Sequence, residues 1–281
     1  MTFTVFLAVI AAAAMHAGWN AMLKLRLDPF LGLALLSGTA GLVALPLVTI
    51  FGWPRAEAWP WLGLSFVLHM AYYGALAEAY RRADMSQIYP IARGGAPLLT
   101  AAVAAGVLGE PVGLVASVGI GTLGAGVILM SLRGRRAGAA FDTVAIGLAL
   151  LTACIISGYT LVDGLGARAA GDPHAFSAAL FVINGIPLPL LVLWRRGMAG
   201  VMPALRLALP GFAGGAMSLG SYWIAIWAMT VAPIALVAAL RETSVLFAAL
   251  IAVIVLKEPL APARIAAGLL ILAGLALIRL Q

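Results

Sequence analysis

The sequence predicts an all-α integral membrane protein of ten transmembrane helices, built as two inverted five-helix repeats. Three observations predict it: the composition, the spacing of apolar runs, and an internal repeat. Of 281 residues, 64% are hydrophobic and 10% charged, whereas a soluble domain is about half apolar and about a quarter charged. At a mean hydropathy of +1.10, the chain has too little polar surface to cover a water-soluble fold. Lipid must be its main solvent.

A membrane span needs about 20 apolar residues. Cutting the chain at charge clusters, prolines and glycines gives segments at 3–23, 30–51, 60–80, 86–108, 112–132, 143–165, 175–194, 207–229, 232–256 and 261–280. The connections are short, and none could hold a soluble domain. The run at 3–23 has no basic region before it and no small-residue cleavage site after it, so it reads as a retained helix and not a signal peptide. The net charge of +7 does not point to nucleic acid. The basic residues fall singly or in short clusters between apolar runs, where membrane proteins keep lysine and arginine. The one cysteine, Cys154, lies inside an apolar stretch. It excludes an internal disulfide or a thiolate metal site and reads as a small buried side chain.

The repeat is read from matched motifs. Gly109-Glu110-Pro111 ends the fourth segment, and Lys257-Glu258-Pro259 ends the ninth, 148 residues later. The same offset carries Arg93 onto Arg241 and Gly126 onto Gly274. Near the start of each half, Gly18-Trp19-Asn20 corresponds to Gly158-Tyr159-Thr160 at an offset of 140. The halves are 3–132 and 143–280. Five is odd, so the second copy of a five-helix unit inserts upside down. The loop charges agree: twelve basic loop residues fall on one side and three on the other. That bias places the odd-numbered loops in the cytoplasm and both termini outside.

These residues resemble the drug/metabolite transporter superfamily, in its ten-helix EamA-type branch. Trp19-Asn20 resembles that family's first-helix signature. Tyr72-Tyr73-Gly74-Ala75-Leu76 leading into Arg81-Arg82-Ala83-Asp84 resembles its third helix and short loop, and Pro97 with Gly109-Glu110 resembles its fourth. Within the superfamily the chain is most similar to YddG-type bacterial amino-acid exporters. Arg93 and the Arg241-Glu242 pair depart from the general pattern. The resemblance implies a secondary transporter of the bacterial inner membrane, without cofactor. It would export amino acids, including aromatic ones, and related small metabolites by alternating access. Other cargo on the same fold, such as a sugar derivative or a cationic drug, stays open. A lipid-modifying membrane enzyme would need clustered acid, base or metal ligands at one membrane surface, and the sequence offers none. It also has no ATP-binding loop, HExxH motif or nucleophile elbow.

An ionisable group at mid-bilayer costs about 2.5–3.5 kcal/mol on insertion scales, so each needs a reason. The candidates are His16, His69, Arg93, Arg241 and Glu242. On helical spacing, His16, Trp19, Asn20 and Leu23 share a face of the first helix, and Ile156, Tyr159, Thr160 and Asp163 share one on the sixth. His69, Tyr73 and Tyr80 form a stripe on the third. Ser86, Tyr89, Pro90, Arg93 and Pro97 form one on the fourth. Polar and aromatic stripes on several helices suggest a common cavity, since lipid-facing positions would be aliphatic. Trp53, Trp59, Trp61 and Trp194 flank loops and read as an interfacial belt. Trp19, Trp223 and Trp227 do not.

The candidate substrate-binding set is Trp19, Asn20, His69, Tyr73, Tyr80, Arg93, Tyr159, Trp223, Arg241 and Glu242. Two readings of the charges stay open: Arg93, Arg241 and Glu242 form an ion pair that holds the halves together, or they face a charged substrate. Either arginine would suit a carboxylate, and Glu242 or backbone carbonyls an ammonium. His16 and His69 read as hydrogen-bonded packing residues. Glu78 and Asp84 read as interfacial partners of Arg81 and Arg82, and Asp163 as a hydrated residue near a helix exit. Glu110 is expected to meet the positive end of the helix that follows it. Gly113, Ser117, Gly121 and Ala125 form a small-residue ridge suited to close helix packing or a homodimer.

Overall fold

A computed structural model describes residues 1–23, 29–82, 85–131, 143–255, 257 and 262–280. Among these residues the chain is helical and has no strand. The elements are α1 (Phe3–Leu23), α2 (Pro29–Phe51), a 3-10 turn at Ala56–Ala58, α3 (Trp59–Arg82), α4 (Met85–Gly106), α5 (Leu114–Ser131) and α6 (Thr143–Ala169). They continue with α7 (Pro173–Gly185), α8 (Pro187–Leu205), α9 (Ala208–Val231), α10 (Ile234–Arg241), α11 (Ser244–Ile254) and α12 (Pro262–Arg279). Every expected segment falls on a helix, and the seventh and ninth fall on consecutive pairs. Among the described residues six stretches are long and apolar enough to cross a membrane: Phe3–Asn20, Phe30–Phe51, Thr143–Ala169, Pro173–Leu205, Ile234–Ile254 and Pro262–Arg279. Asp84 and Glu258 lie outside the described residues.

The breaks have local causes. α7 gives way to α8 where Pro187, which lacks an N–H, takes the first helical position. Just before it, a Cβ on Gly185 would lie 2.8 Å from the Gly41 Cα, so α2 and α7 cross backbone to backbone. In α8 the chain turns at Gly197 (φ 61, ψ −175), a conformation essentially reserved for glycine, directly after Arg195 and Arg196. The α10–α11 break contains neither glycine nor proline. Glu242 and Thr243 donate backbone N–H bonds of 3.1 Å to Ala239 and Leu240, which tightens the last turn. The Thr243 hydroxyl then takes the Leu240 carbonyl at 2.7 Å.

The large helix contacts mostly join residues before 132 to residues after 142. α3 and α4 pack on α6, α1 on α9 and α11, α2 on α7 and α9, and α5 on α12. Small residues let α5 and α12 approach closely: a Cβ on Gly119 would meet the Gly274 carbonyl oxygen at 2.9 Å, and one on Gly126 the Ile271 nitrogen at 2.9 Å. The ridge of Gly113, Ser117, Gly121 and Ala125 is not this face. It points outward and is exposed.

Leu7, Leu45, Ile50, Val67, Leu150, Leu190, Leu250 and Leu269 are exposed as well, an apolar exterior suited to lipid. Cys154 corrects an expectation: it is exposed, not buried. α6 packs through Thr152, Ala153 and Ile156, and the next position after Ala153 points about 100° away around the helix.

Local contacts define two ends of the bundle. Arg279 lies over the Phe3 ring at 5.6 Å, the Arg55 N–H bonds the Ala170 carbonyl, and Phe51 meets His174 at 5.2 Å. The start of α1, the end of α12 and the segments 52–58, 107–113, 170–172 and 232–233 therefore share one end, called here the far end. Arg81, Arg82, Arg195, Arg196, Arg206 and Lys257 lie at the other, the basic end. There Glu78 pairs with Arg81 at 2.7 Å and Arg82 at 2.8 Å, as expected for an interfacial acid. Gly109 and Lys257, related by the repeat offset, share a left-handed backbone, φ 65 and 55.

Candidate functional site

A cavity of about 200 Å³ opens among eight helices. α1 contributes His16, Trp19 and Asn20; α2 contributes Ser37 and Ala40; α3 contributes His69, Tyr72 and Tyr73. Arg93 comes from α4, Tyr159 from α6, Asn184 and Gly185 from α7, Ser218 and Tyr222 from α9, and Arg241 from α10. These residues sit late in α1 and α3 and early in α2 and α4, so the cavity lies toward the basic end.

One wall is aromatic. His69 and Tyr159 stack at 4.4 Å and 27°, and Tyr72 meets Tyr159 edge-on at 6.0 Å. His16 meets Trp19 edge-on at 4.9 Å. The His69 ring is fixed by its Nδ1, 2.9 Å from the Ser65 carbonyl oxygen one turn back. Asn20 is fixed in the same way, donating to the His16 carbonyl at 2.8 Å.

The charges divide into a pair and a remainder. Arg93 Nη2 lies 3.2 Å from Glu242 Oε1, with the two side chains 13% and 8% exposed, and 3.5 Å from His16 Nε2. Arg241 lies over the face of the Tyr222 ring, 4.6 Å from its centroid. Among the described residues no carboxylate lies within ion-pair distance of Arg241. The α10–α11 break explains why adjacent residues separate: α10 ends at Arg241, which faces the cavity, while Glu242 starts the turn and points back to α4. The ring of Tyr222 is held from behind, where its hydroxyl donates to Asp163 Oδ2. Asp163 is therefore not at a hydrated helix exit. It is fully buried, because α6 runs on to Ala169.

Of the ten candidate residues, seven meet in this cavity: Trp19, Asn20, His69, Tyr73, Arg93, Tyr159 and Arg241. Glu242 stands behind it, paired with Arg93. Trp223 points elsewhere, donating its Nε1–H to His174 Nδ1 at 2.7 Å. The side chain of Tyr80 lies outside the described residues. Sequence reasoning missed Ser37, Asn184, Ser218 and Tyr222. Asn184 carried a signal, as the single amide in the apolar run Phe181-Val182-Ile183-Asn184-Gly185. Its Nδ2 donates to the Leu180 carbonyl at 3.1 Å. Its Oδ1 and the Nε1 of Trp19 are buried without a hydrogen-bond partner among the described residues.

The far end is arranged differently. Arg168 donates from Nε to the Met229 carbonyl at 2.8 Å, and from Nη2 to the Ala232 carbonyl at 3.2 Å and Glu110 Oε1 at 2.7 Å. Glu110 Oε2 accepts the Ile234 backbone N–H at 2.8 Å. Glu110 was expected to meet the start of the helix that follows it, α5. It meets the start of α10 instead, because a hydrogen-bonded turn brings its backbone back to the Ala104 carbonyl at 2.9 Å. The helix-dipole argument holds, on a different helix.

No curated protein matches this chain. Among solved structures 24 chains match. One, described as the crystal structure of a protein, superposes with a TM-score of 0.72 at 20% identity, covering 99% of this chain and 96% of its own. That likeness speaks for the fold alone. The sequence pattern of the EamA-like transporter family matches residues 2–132 and again residues 143–280. The chain belongs to the EamA-like transporter family, a family of membrane transporters of small molecules.

Proposed function

We propose that this transporter exports amino acids, aromatic ones included, and related small metabolites across the bacterial inner membrane, as YddG-type exporters do. One observation carries the reading: the Arg241 guanidinium faces an aromatic-walled cavity with no carboxylate partner among the described residues. A half-buried cation facing a cavity calls for an anion, and a guanidinium matches a carboxylate in geometry. The substrate carboxylate sits on Arg241. Its ammonium meets acceptors elsewhere in the lining, which includes Ser37, Ser218 and Asn184, whose buried Oδ1 has no hydrogen-bond partner among the described residues. Its side chain lies along Trp19, Tyr73, His69 and Tyr159, with Tyr80 as the proposed continuation of that wall. Arg93 and Glu242 support Arg241 by fixing the α10–α11 break. Trp223 holds helices together beside the site.

Two features favour a small zwitterion over a cationic drug. An unmatched guanidinium repels cations. The cavity, at about 200 Å³, is below the roughly 300–1,000 Å³ of drug-sized sites.

The transport cycle follows from two five-helix repeats, 3–132 and 143–280, inserted in opposite senses. Helix contacts support this plan, because they recur when each span is exchanged for the span five later. α3 on α6 has its counterpart in α9 on α1. α4 on α6 has one in α10 and α11 on α1, and α2 on α9 has one in α7 on α3. The α10–α11 break falls at the cavity, where broken helices of carriers bind their substrates. With the basic end in the cytoplasm, the cavity is set to load from inside.

Counterflow in proteoliposomes with a panel of labelled metabolites tests the reading. Phenylalanine, methionine and threonine should exchange. If none does while a sugar derivative or an organic cation does, the amino-acid assignment is wrong.

A further inference from the structure

We infer that Glu110 and Arg168 form the gate that closes the far side of the cavity, and that α10 links this gate to the bound substrate. The inference rests on the family's transport activity and not on which molecule is carried.

The contacts tie four separate parts of the chain: the loop after α4, the end of α6, the end of α9 and the start of α10. Met229 and Ile234 of this knot, with Leu62, Phe176 and Ala235, belong to one apolar cluster in which none of the five is more than 2% exposed. This packing is the plug we assign to the far side of the cavity. A carrier with a central site opens to each side in turn, so the plug must part in the other half of the cycle. Apolar packing is non-directional and re-forms after small slides. A charge-assisted bond at 2.7 Å holds one geometry and is lost on a small displacement. Among the described residues, Arg168–Glu110 is the ion pair at the far end. With its carboxylate 7% and its guanidinium 35% exposed, it stands at the border between plug and water.

α10 is suited to carry the signal. It is eight residues long, spanning about 10 Å from Ile234 to Arg241 at ~1.5 Å per residue. It starts after an extended pair, Ala232 and Pro233, and ends at the Arg241–Ser244 turn, so each end can pivot. Its first N–H is held by Glu110, and its last residue enters the cavity as Arg241. Glu242, immediately after it, is held by Arg93. Arg93 lies on α4 and Glu110 in the loop that follows it, so this one stretch of chain holds α10 at both ends. A carboxylate arriving at Arg241 displaces one end of a short rod whose other end is the gate.

Sided cysteine labelling tests this without any substrate. In a Cys154→Ser background, Ala235→Cys places a thiol inside the plug. A membrane-impermeant maleimide is then applied to intact cells and to inverted vesicles. Glu110→Gln keeps an acceptor for the Ile234 N–H but removes the charge facing Arg168. We expect Glu110→Gln to raise labelling from the far side by about tenfold, with no rise from the basic side. Arg168→Gln should do the same. Unchanged labelling in both variants overturns the gate, and so does an equal rise from both sides, which marks general loosening. Leu62→Cys provides a second reporter if Ala235→Cys does not fold. Failure of the amino-acid panel leaves this result untouched.

Discussion

The two ends of α10 carry similar groups and treat them in opposite ways. At its start, Arg168 and Glu110 satisfy each other, two carbonyls and a backbone N–H. At its finish, among the described residues, Arg241 has an aromatic face beneath it and no carboxylate within ion-pair distance, while Asn184 Oδ1 and Trp19 Nε1 in the same cavity have no hydrogen-bond partner. Desolvated polar groups are costly when unpaired, so a charge pair already bonded to each other and to the backbone around it reads as closure. A set left unmatched around one cavity reads as a place where something else supplies the bonds. The membrane makes the distinction sharper, because lipid offers no hydrogen bonds in compensation.

The most absolute prediction concerns which end faces which compartment. Alkaline phosphatase fused to the C-terminus, at the far end, should be active. A fluorescent C-terminal green fluorescent protein would place the far end in the cytoplasm and reverse the loading direction. Next in size is Arg241→Ala. Flux should fall on the order of 100-fold, the usual scale for truncating one partner of a buried charge pair, while the protein stays monodisperse with its melting temperature nearly unchanged. Wild-type flux in that variant removes Arg241 from the mechanism.

Arg93 should behave in the opposite sense. Arg93→Ala leaves Glu242 buried and alone, at a cost of about 3–5 kcal/mol, and adding Glu242→Ala should restore part of it. Thermal unfolding of the two single variants and the double reads this coupling directly, and additive losses would mean that the pair is not a unit. The smallest contrast is between two tryptophans. Trp223→Phe gives up the bond to His174, costs about 1 kcal/mol, and leaves substrate competition as it was. Trp19→Phe removes an N–H that has no hydrogen-bond partner among the described residues, leaves stability unchanged, and shifts the ranking of competing amino acids.

Helix positions were legible because lipid enforces long apolar runs, and loop residues punctuate them. The breaks were less so. Pro187 signals one, but Arg241-Glu242-Thr243-Ser244 contains no helix breaker, and neither the tightened hydrogen bonds of its turn nor the Arg93 of α4 that pairs with Glu242 there is displayed by a sequence. The same turn decides the site. On paper Arg241 and Glu242 are neighbours that could pair with either of two partners, whereas in the fold they point apart. Asp163 was misplaced for a related reason. Helical spacing put it on the correct face of α6, but the helix continues past it, and Tyr222 covers it. Trp19, His69, Tyr73 and Tyr159 were found because aromatic and polar side chains stand out in an aliphatic background. Ser37 and Ser218 pass there for packing residues.

Competition by amino-acid amides tests the central claim most directly. Labelled phenylalanine uptake into proteoliposomes is measured against excess phenylalanine and against phenylalaninamide, which has the same ring and amine but no carboxylate. With Arg241 as the carboxylate site, the parent should inhibit strongly and the amide weakly, and Arg241→Ala should abolish the distinction. If the amide competes as well as the parent amino acid in the wild-type protein, no arginine–carboxylate contact holds the substrate, and the unmatched guanidinium has another purpose.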